Sequence, residues 1–389
     1  MPYRGVDYFA LDDLLTEEER LVRATFRRFV DEEVLPHIGH HFRQGTFPMD
    51  LPRKLGALGA LGSFLQGYGC PGLNAVAYGL MMQELERGDS GVRSFASVQG
   101  ALVMYPIYAY GSDEQKDRWL PAMARGEVIG CFGLTEPDFG SNPGGMRTTA
   151  ERHGSTFVLH GEKRWITSGG IADVALIWAR TQPEGEVRGF LVERGTPGFS
   201  TRDIEGKFSL RASVTSELIL QECVVPESAM LPGARGLRAP LSCLSQARFG
   251  ICFGVLGAAM ACYEEALSYC CERKQFSRPL AGHQLVQEKL VGMLEEITKG
   301  QLLAWRLGRL KEAGRLRPPQ ISLCKRNNVR IALQCARTAR DLLGANGITD
   351  EYQAGRHMCN LESVFTYEGT DHIHTLVVGE DITGHSAFD

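Results

Sequence analysis

The spacing of hydrophobic and polar positions divides the chain into three segments. Apolar residues recur at helical intervals from Thr16 to about Gly126, then in short alternating or continuous runs from about Val128 to Pro232. From Arg238 onward the helical interval returns. Because 389 residues are too many for one hydrophobic core, this order predicts three domains. They are a helical domain over residues 1–127, a β domain over 128–235 and a helical bundle over 236–389.

The first segment carries helix start and stop signals. Thr16 and Glu19 form a capping box ahead of an amphipathic helix, which Pro36 is expected to end. A second helix is predicted to run up to Gly88, and Ser112 is a candidate N-cap for a third.

The middle segment predicts strands and the last segment predicts long helices. Apolar or alternating runs bounded by Gly, Pro and Asp have the pattern of strands: STFVLHGEKRWIT, DVALIWAR, RGFLVER and ELILQECVVPE. In the last segment, one helix face is formed by Val286, Leu290, Met293, Leu294 and Ile297. A further helix, RNNVRIALQCARTARDLLG, is expected to end at Gly344.

The most apolar stretch, FGICFGVLGAAMACY, covers residues 249–263 and stops at two glutamates. Its 15 residues are too few to span a bilayer, so we expect a buried helix and no membrane insertion. Gly250, Gly254 and Gly257 would let a second helix approach it closely. The N-terminus lacks a basic region followed by an apolar run, so no signal peptide is predicted.

Composition and charge indicate an ordinary soluble globular protein. Hydrophobic residues make up 43% and charged residues 23%, and the formal net charge is -4. Lys and Arg are dispersed, which argues against a nucleic-acid partner. The 11 cysteines show no Cys-x-x-Cys spacing, so we expect reduced thiols in a cytoplasmic protein, with neither a metal site nor a disulfide framework.

A lone carboxylate near the C-terminus is the main candidate for chemistry. In FTYEGTDHIHTLVVGEDITG, Glu368 lies in a Glu-Gly-Thr turn between two helix-like stretches. From the residues alone, it is either a solvated loop residue or a base aimed into a pocket. These two interpretations predict opposite environments for its carboxylate.

Six strings, in this order along the chain, resemble the acyl-CoA dehydrogenase family of flavoproteins, in particular its glutaryl-CoA dehydrogenase branch. They are CFGLTEPDFGSN, KRWITSGG, GKFSLRAS, ERKQF, LLGANGI and TYEGT. The resemblance extends from about Leu15 to Phe388. It implies an α+β multidomain fold with an N-terminal α-helical domain, a middle β-barrel-like domain and a C-terminal four-helix bundle. FAD would bind between the last two domains.

The resemblance implies a set of FAD contacts whose residues would otherwise have ordinary roles. Without it, CFGLTEPDFGSN is a loop offering N–H groups to an anion or a flat polar ring, or else a simple turn. Trp165 would be core packing and Arg273 a solvated charge. The implied FAD contacts are Phe132, Leu134, Thr135, Ser141, Trp165, Ile166, Thr167, Arg273, Phe276, Gln284, Asp341, Gly344, Ala345 and Thr370. The string around Arg273 reaches the FAD of a neighbouring subunit in this family, which implies a homo-oligomer, with a tetramer expected.

By the same resemblance, Glu368 is the catalytic base. Removing the proton α to a thioester requires a base in a dry pocket, where desolvation raises the pKa of a carboxyl group. Some branches place the base on the earlier apolar helix, but here ARFGICFGVLGAA contains no acidic residue. The implied acyl-CoA contacts are Glu86, Arg93, Ser94, Ser97, Ser141, Arg248, Tyr367 and Gly369.

Arg93 is the implied substrate selector. In the glutaryl-CoA branch, the positions of Glu86, Arg93 and Ser97 hold the distal carboxylate of the substrate, and a buried guanidinium suits a bidentate carboxylate. The alternative is a structural Arg93–Glu86 ion pair at a helix end. Val92 and Phe95 depart from the aromatic and the small residue usual in that branch. A bulky Phe95 is therefore expected to narrow the acyl pocket.

The implied activity is α,β-dehydrogenation of an acyl-CoA, specifically the conversion of glutaryl-CoA to crotonyl-CoA and carbon dioxide. The implied electron acceptor is an electron-transfer flavoprotein. Two alternatives stay open. One is a dehydrogenase for another acyl-CoA or acyl-carrier-protein thioester in a biosynthetic pathway, and the other is a catalytically silent flavin-binding homologue.

Overall fold

The computed structural model describes residues 3 and 5–388, and helices and strands follow the predicted order. In the described part of the chain, seven α-helices precede the large sheet. They are α1 (Glu17–Phe29), α2 (Leu35–Gln44), α3 (Leu51–Ala57), α4 (Ala75–Gly88), α5 (Ser90–Ser97), α6 (Tyr105–Tyr110) and α7 (Asp113–Ala124). A short hairpin of β1 (Gln66–Gly67) and β2 (Cys70–Pro71) separates α3 from α4.

Side-chain caps begin these helices where the sequence predicts them. Thr16 accepts a hydrogen bond from the Glu19 N–H at the start of α1, which completes the capping box. Ser112 caps α7 in the same way. Both predictions are confirmed, because a cap depends on residues only three positions apart.

The prediction that Pro36 ends the first helix is wrong. The chain passes from α1 through a wider π-helical turn, Val30–Val34, into α2, which ends at Gln44 with Gly45 as its C-cap. Proline lacks an N–H and its ring crowds the preceding turn of an ordinary α-helix. We infer that the wide turn directly before Pro36 gives the ring the space it needs.

The middle of the chain forms a seven-stranded mixed sheet. Its strands are β3 (Gly130–Gly133), β4 (Thr149–His153), β5 (Thr156–Thr167), β6 (Val174–Gln182), β7 (Val187–Glu193), β8 (Phe199–Asp203) and β9 (Thr215–Pro226). The order is β3-β6-β4-β5-β9-β8, with β7 paired to β6. Strands β3 and β4 run parallel to β6, and the other pairs are antiparallel. This sheet matches the expected middle domain.

The C-terminal region is helical around α8. Its helices are α8 (Arg238–Glu272), α9 (Gln284–Glu312), α10 (Pro318–Leu342), α11 (Ala354–Thr366) and α12 (Asp371–Thr383). A hairpin of β10 (Lys274–Gln275) and β11 (Arg278–Pro279) connects α8 to α9. The helix α8 has 35 residues and contains the 15-residue apolar stretch. The helix is therefore long enough to cross a bilayer, and the expectation of a segment too short to do so is wrong. Its most apolar window is nevertheless 78% buried within the fold, as a core helix requires.

Glycines let α8 pack closely against α4, as the sequence predicts. A Cβ atom at Gly257 would lie 1.8 Å from the Gln83 carbonyl oxygen, and one at Gly254 would lie 2.3 Å from Glu86 Oε2. Contacts under 3.0 Å are not found for real Cβ atoms. The two helices therefore touch at distances that only glycine permits, and this contact places Glu86 beside α8.

We expect Gly257→Ala to lower the free energy of unfolding by about 1–3 kcal/mol or more, because α4 and α8 must separate to admit the methyl group. A matched control is Gly292→Ala in α9, where an added Cβ meets nothing within 4 Å. That change should be neutral or stabilising, by up to about 1 kcal/mol. Denaturant unfolding measures both, and equal midpoints for the two variants would contradict the close-contact account.

Candidate active site

The turn between α11 and α12 presents Glu368 in an unusual backbone conformation. Glu368 has φ +51° and Gly369 has φ +91°, so both lie in the left-handed region. A Cβ at Gly369 would approach the His374 ring to 2.9 Å, which explains the glycine. A left-handed non-glycine residue costs about 1–3 kcal/mol and is kept only where surrounding contacts impose it.

The carboxylate of Glu368 lies in a buried, polar environment rather than in solvent. Its Oε2 atom is buried and has no hydrogen-bond partner among the described residues. Burial raises the pKa of Glu368 above its usual range, while the nearby charges of Arg93, Lys325 and Arg248 oppose that rise. These are the properties of a general base rather than of a solvated loop residue.

Three backbone carbonyls of this turn are bound by the buried Lys325 and the half-buried Arg248. Lys325 Nζ donates to the carbonyls of Tyr367 and Gly369, at 2.7 Å each. Arg248 Nε donates to the carbonyl of Glu368 at 2.7 Å. The predicted site residue Arg248 therefore holds the Glu368 turn through its backbone.

Sequence reasoning missed Lys325. A lysine on a helix usually lies on the solvated face, yet Lys325 is buried in α10. Its neighbours at helical spacing, Ile321, Cys324, Asn328 and Val329, are buried too. A lysine in the middle of an apolar helix face was the signal that could have found it.

Arg93 and Glu86 form a fully buried ion pair, each with 0% of its side chain exposed. The distance from Arg93 Nε to Glu86 Oε2 is 2.6 Å, and Ser90 Oγ donates to Glu86 Oε1 at 2.8 Å. Arg93 Nη2 also donates to the hydroxyl of Tyr367. The structural ion pair considered from the sequence thus exists.

This pair does not use all donors of Arg93. Among the described residues, the buried atoms Arg93 Nη1, Ser97 Oγ and Tyr78 Oη have no hydrogen-bond partner, as is also true of Glu368 Oε2. Ser97 lies one helical turn after Arg93, so both project from the same side of α5. Buried polar atoms are nearly always paired, so unpaired atoms around Glu368 indicate a place for a polar ligand.

Phe95, which the sequence analysis expects to narrow the acyl pocket, is buried in α5. Its ring packs on Phe47, with the ring centroids 5.0 Å apart. Two positions along a helix correspond to about 200° of rotation, so Phe95 and Arg93 project from different sides of α5. Val92 is also fully buried in the core.

Ser94 and Tyr367 complete the wall near Arg93. Ser94 Oγ lies 3.2 Å from the hydroxyl of Tyr367. Burial raises the pKa of Tyr367 to about 12, so its hydroxyl stays protonated near neutral pH. The structure therefore gathers five predicted site residues around Glu368: Glu86, Arg93, Ser94, Ser97 and Tyr367.

The flavin residues predicted on β3 and β5 differ in exposure. Phe132, Leu134 and Ile166 are buried, so their side chains belong to the core. Trp165, by contrast, has φ +61° and a side chain 56% exposed. The pairing of β5 with β9 shifts register between Lys163 and Ile166, and such a bulge turns a side chain out of the regular alternation.

A buried ion pair, which sequence reasoning also missed, anchors the loop after β3. Lys163 Nζ lies 2.8 Å from Glu136 Oε1 and donates to the Leu134 carbonyl at 3.2 Å. Glu136 also accepts the N–H groups of Arg147 and Thr148. This network fixes the backbone that leads to the partly exposed Thr135 and the exposed Ser141.

The remaining predicted cofactor residues lie at the α8–α9 hairpin and the end of α10. Phe276 is 90% exposed with φ +51°, next to Arg273 at the end of α8. Asp341 pairs with Lys289 of α9 at 2.5 Å, before Gly344 and Ala345. Within the described residues, no hydrogen bond or ion pair joins these side chains to the Glu368 turn. Thr370 caps α12 by accepting the Ile373 N–H.

Comparison with known proteins gives one consistent family. Models of the N-terminal, middle and C-terminal domains of acyl-CoA dehydrogenase match residues 16–127, 131–223 and 234–383. A short-chain specific acyl-CoA dehydrogenase of Clostridium acetobutylicum is 33% identical over 379 residues, which cover 96% of this chain and 100% of the relative.

Solved structures agree with these matches. A glutaryl-CoA dehydrogenase from Mycobacterium smegmatis in complex with FADH2 has a TM-score of 0.98 and 55% identity, with 100% of both chains covered. A glutaryl-CoA dehydrogenase solved with glutaryl-CoA has a TM-score of 0.91 and 31% identity, over 95% of this chain and 96% of that one.

Proposed function

Because this chain belongs to the acyl-CoA dehydrogenase family and is an FAD-dependent enzyme, we propose that it oxidises glutaryl-CoA to crotonyl-CoA and carbon dioxide. The observation that carries the choice of substrate is the unpaired, buried Nη1 atom of Arg93. A saturated acyl chain offers it no partner. A distal carboxylate would accept hydrogen bonds from the planar edge of the guanidinium. The 55% identity to a glutaryl-CoA dehydrogenase supports the same choice.

The residues of β5 and the β3 loop fit FAD, which supplies the two-electron oxidation of the substrate Cα–Cβ bond when bound. Trp165 offers a half-exposed aromatic face, and Thr135 and Thr167 are partly exposed beside it. The Arg164 N–H donates to the Thr135 carbonyl at 2.9 Å, which ties the loop to the bulged strand. We propose that Thr135, Trp165 and Thr167 hold the flavin ring and that Ser141 lies near the pyrophosphate.

In the proposed reaction, Glu368 takes the α-proton of the thioester. Its raised pKa brings its proton affinity closer to that of the weakly acidic substrate, which favours transfer. The Glu368 N–H would donate to the thioester oxygen and stabilise the enolate, as oxyanion donors do.

Arg93 and Glu86 would then govern loss of carbon dioxide. After oxidation the distal carboxylate is attached to the γ carbon of an α,β-unsaturated thioester, so the bond electrons left behind by departing carbon dioxide delocalise as a dienolate, which takes up a proton to give crotonyl-CoA. Once the carboxylate has left, Arg93 still pairs with Glu86. A buried guanidinium without any partner would be costly, so this pair lets the carboxylate leave.

We also propose that the enzyme is a homo-oligomer in which Arg273, Phe276 and Gln284 contact FAD bound to a neighbouring subunit. The 90% exposure of Phe276, at a hairpin position with φ +51°, supports this, because the ring is accessible to a ligand held by another subunit. Light scattering should give a dimer or tetramer with one FAD per chain. A monomer of 42.9 kDa that binds FAD would contradict the proposal. The proposed electron acceptor is an electron-transfer flavoprotein.

A second candidate is the same oxidation of a simple short-chain thioester. The 33% identity to a short-chain specific relative favours it, and Arg93 already has a carboxylate partner in Glu86. Anaerobic bleaching of the flavin by glutaryl-CoA and by butyryl-CoA distinguishes the two. We expect far faster bleaching with glutaryl-CoA. Equal rates would favour the second candidate, and no bleaching by any thioester would indicate a silent homologue.

A further inference from the structure

We propose that Lys325 is a positioning residue of the reaction, which holds the Tyr367–Glu368 peptide so that the Glu368 N–H faces the thioester oxygen. This inference rests on the proposed function, because it takes Glu368 as the base of the site. Lys325 would act through the backbone and would not touch the substrate.

The geometry begins with the two hydrogen bonds from Lys325 Nζ to the carbonyls of Tyr367 and Gly369, at 2.7 Å each. Arg248 binds the carbonyl between them at 2.7 Å. Helices α8 and α10 therefore hold three successive carbonyls of one turn. Such ties are needed, because the left-handed conformation of Glu368 would otherwise relax.

The direction of the Glu368 N–H follows from peptide geometry. The Tyr367–Glu368 bond is not among the cis bonds of the described chain, and in a trans peptide the C=O and the following N–H point in opposite directions. With its carbonyl fixed on Lys325, this peptide turns the Glu368 N–H away from α10. That N–H donates to no backbone carbonyl among the described residues, so it is free for a ligand.

The charge of Lys325 adds to this effect. A cation bound to the Tyr367 carbonyl polarises the peptide, which makes the Glu368 N–H a stronger donor to a developing oxyanion. Burial lowers the pKa of Lys325 to about 7, while Glu368 opposes that shift. A neutral amine still has two N–H groups, so both carbonyl bonds survive deprotonation. The titratable and charged groups facing Glu368 are Arg93, Lys325, Arg248, Glu86, His374, Tyr367 and Tyr78.

The test is Lys325→Met in the FAD-loaded enzyme, followed by anaerobic flavin reduction at saturating glutaryl-CoA across pH. We expect the reduction rate per bound FAD to fall about 10²-fold, the usual effect of losing one oxyanion donor. Apparent substrate affinity should change only a few-fold. The rise of the rate with pH should move to higher pH, because a cation that lowers the pKa of Glu368 is gone. Lys325→Arg keeps the charge and should leave that rise near its wild-type position.

Lys311→Met is the matched control, because it also removes a buried ammonium with a lowered pKa of about 8. Lys311 Nζ bonds Gln246 at 2.7 Å and makes no bond to the base turn. We expect the flavin reduction rate of Lys311→Met and its dependence on pH to match those of the wild-type enzyme. If Lys325→Met does not fold, Lys325→Gln, which keeps one donor, takes its place.

Two outcomes separate this inference from the proposed function. If the Lys325 variants keep the wild-type rate and pH profile while Glu368→Gln is slow, Lys325 is only structural and the inference is wrong. If Glu368→Gln itself keeps the wild-type rate, the proposed function fails whatever Lys325 does.

Discussion

Glu368→Gln should keep its FAD and reduce it about 10²–10⁴-fold more slowly, the usual contribution of a positioned general base. Glutamine has the size of glutamate and can keep the turn, since the carbonyls of Tyr367, Glu368 and Gly369 bind Lys325 and Arg248 through the backbone. Stopped-flow absorbance of the flavin under anaerobic conditions measures the rate.

The control for this variant is Glu380→Gln, which changes an exposed glutamate of α12 that makes no side-chain bond among the described residues. It should reduce its flavin at the wild-type rate. A Glu368→Gln enzyme that does the same would mean that the base lies elsewhere.

The pH dependence of wild-type reduction follows from the same residue. Only ionised Glu368 can accept a proton, so the rate should rise with pH through the pKa of Glu368. Because burial raises that pKa, the rise should occur at higher pH than for an exposed glutamate. Glu368→Gln should lose this rise as well as the rate.

Removal of the Arg93–Glu86 pair should abolish the preference for glutaryl-CoA. Arg93→Ala alone leaves Glu86 as an unpaired buried carboxylate, so the sharper variant is Glu86→Gln with Arg93→Met. Loss of one partner of a buried charge pair costs roughly 2–5 kcal/mol. We therefore expect kcat/KM for glutaryl-CoA to fall about 10²-fold or more, while butyryl-CoA stays within a few-fold.

The matched control removes another buried pair of α4. Glu84 and Arg87 lie 2.7 Å apart, and Arg87 also pairs with Asp31 at 2.6 Å. Glu84→Gln with Arg87→Met should change kcat/KM for both substrates by the same factor. Equal losses of kcat/KM for both substrates in the Glu86→Gln, Arg93→Met variant would show that Arg93 is structural only.

Features set by local sequence could be predicted. The caps at Thr16 and Ser112 depend on residues three positions apart, and the strands of the middle sheet follow from alternation and turn residues. The close approach at Gly257 could be predicted because glycine weakens a helix, so its repeated use in an apolar helix indicates that another backbone comes near. The family strings located Glu368, and the structure showed that its carboxylate is buried.

Features set by tertiary contacts could not be predicted. Pro36 continues a helix because a π-helical turn precedes it, and no local signal marks that turn. Phe95 packs on Phe47, a partner far away in sequence, so the size of Phe95 alone does not reveal its surroundings. Lys325 was missed because its partners are backbone carbonyls of the turn between α11 and α12, which is distant in sequence.

The ratio of carbon dioxide released to flavin reduced tests the central claim most directly. The wild-type enzyme is mixed anaerobically with glutaryl-CoA labelled with ¹³C at the distal carboxyl carbon, and the gas and the thioester products are quantified by mass spectrometry. The account predicts one labelled carbon dioxide and one crotonyl-CoA for each FAD bleached. Bleaching with an unsaturated five-carbon product and no labelled gas, or no bleaching by glutaryl-CoA at all, would contradict it.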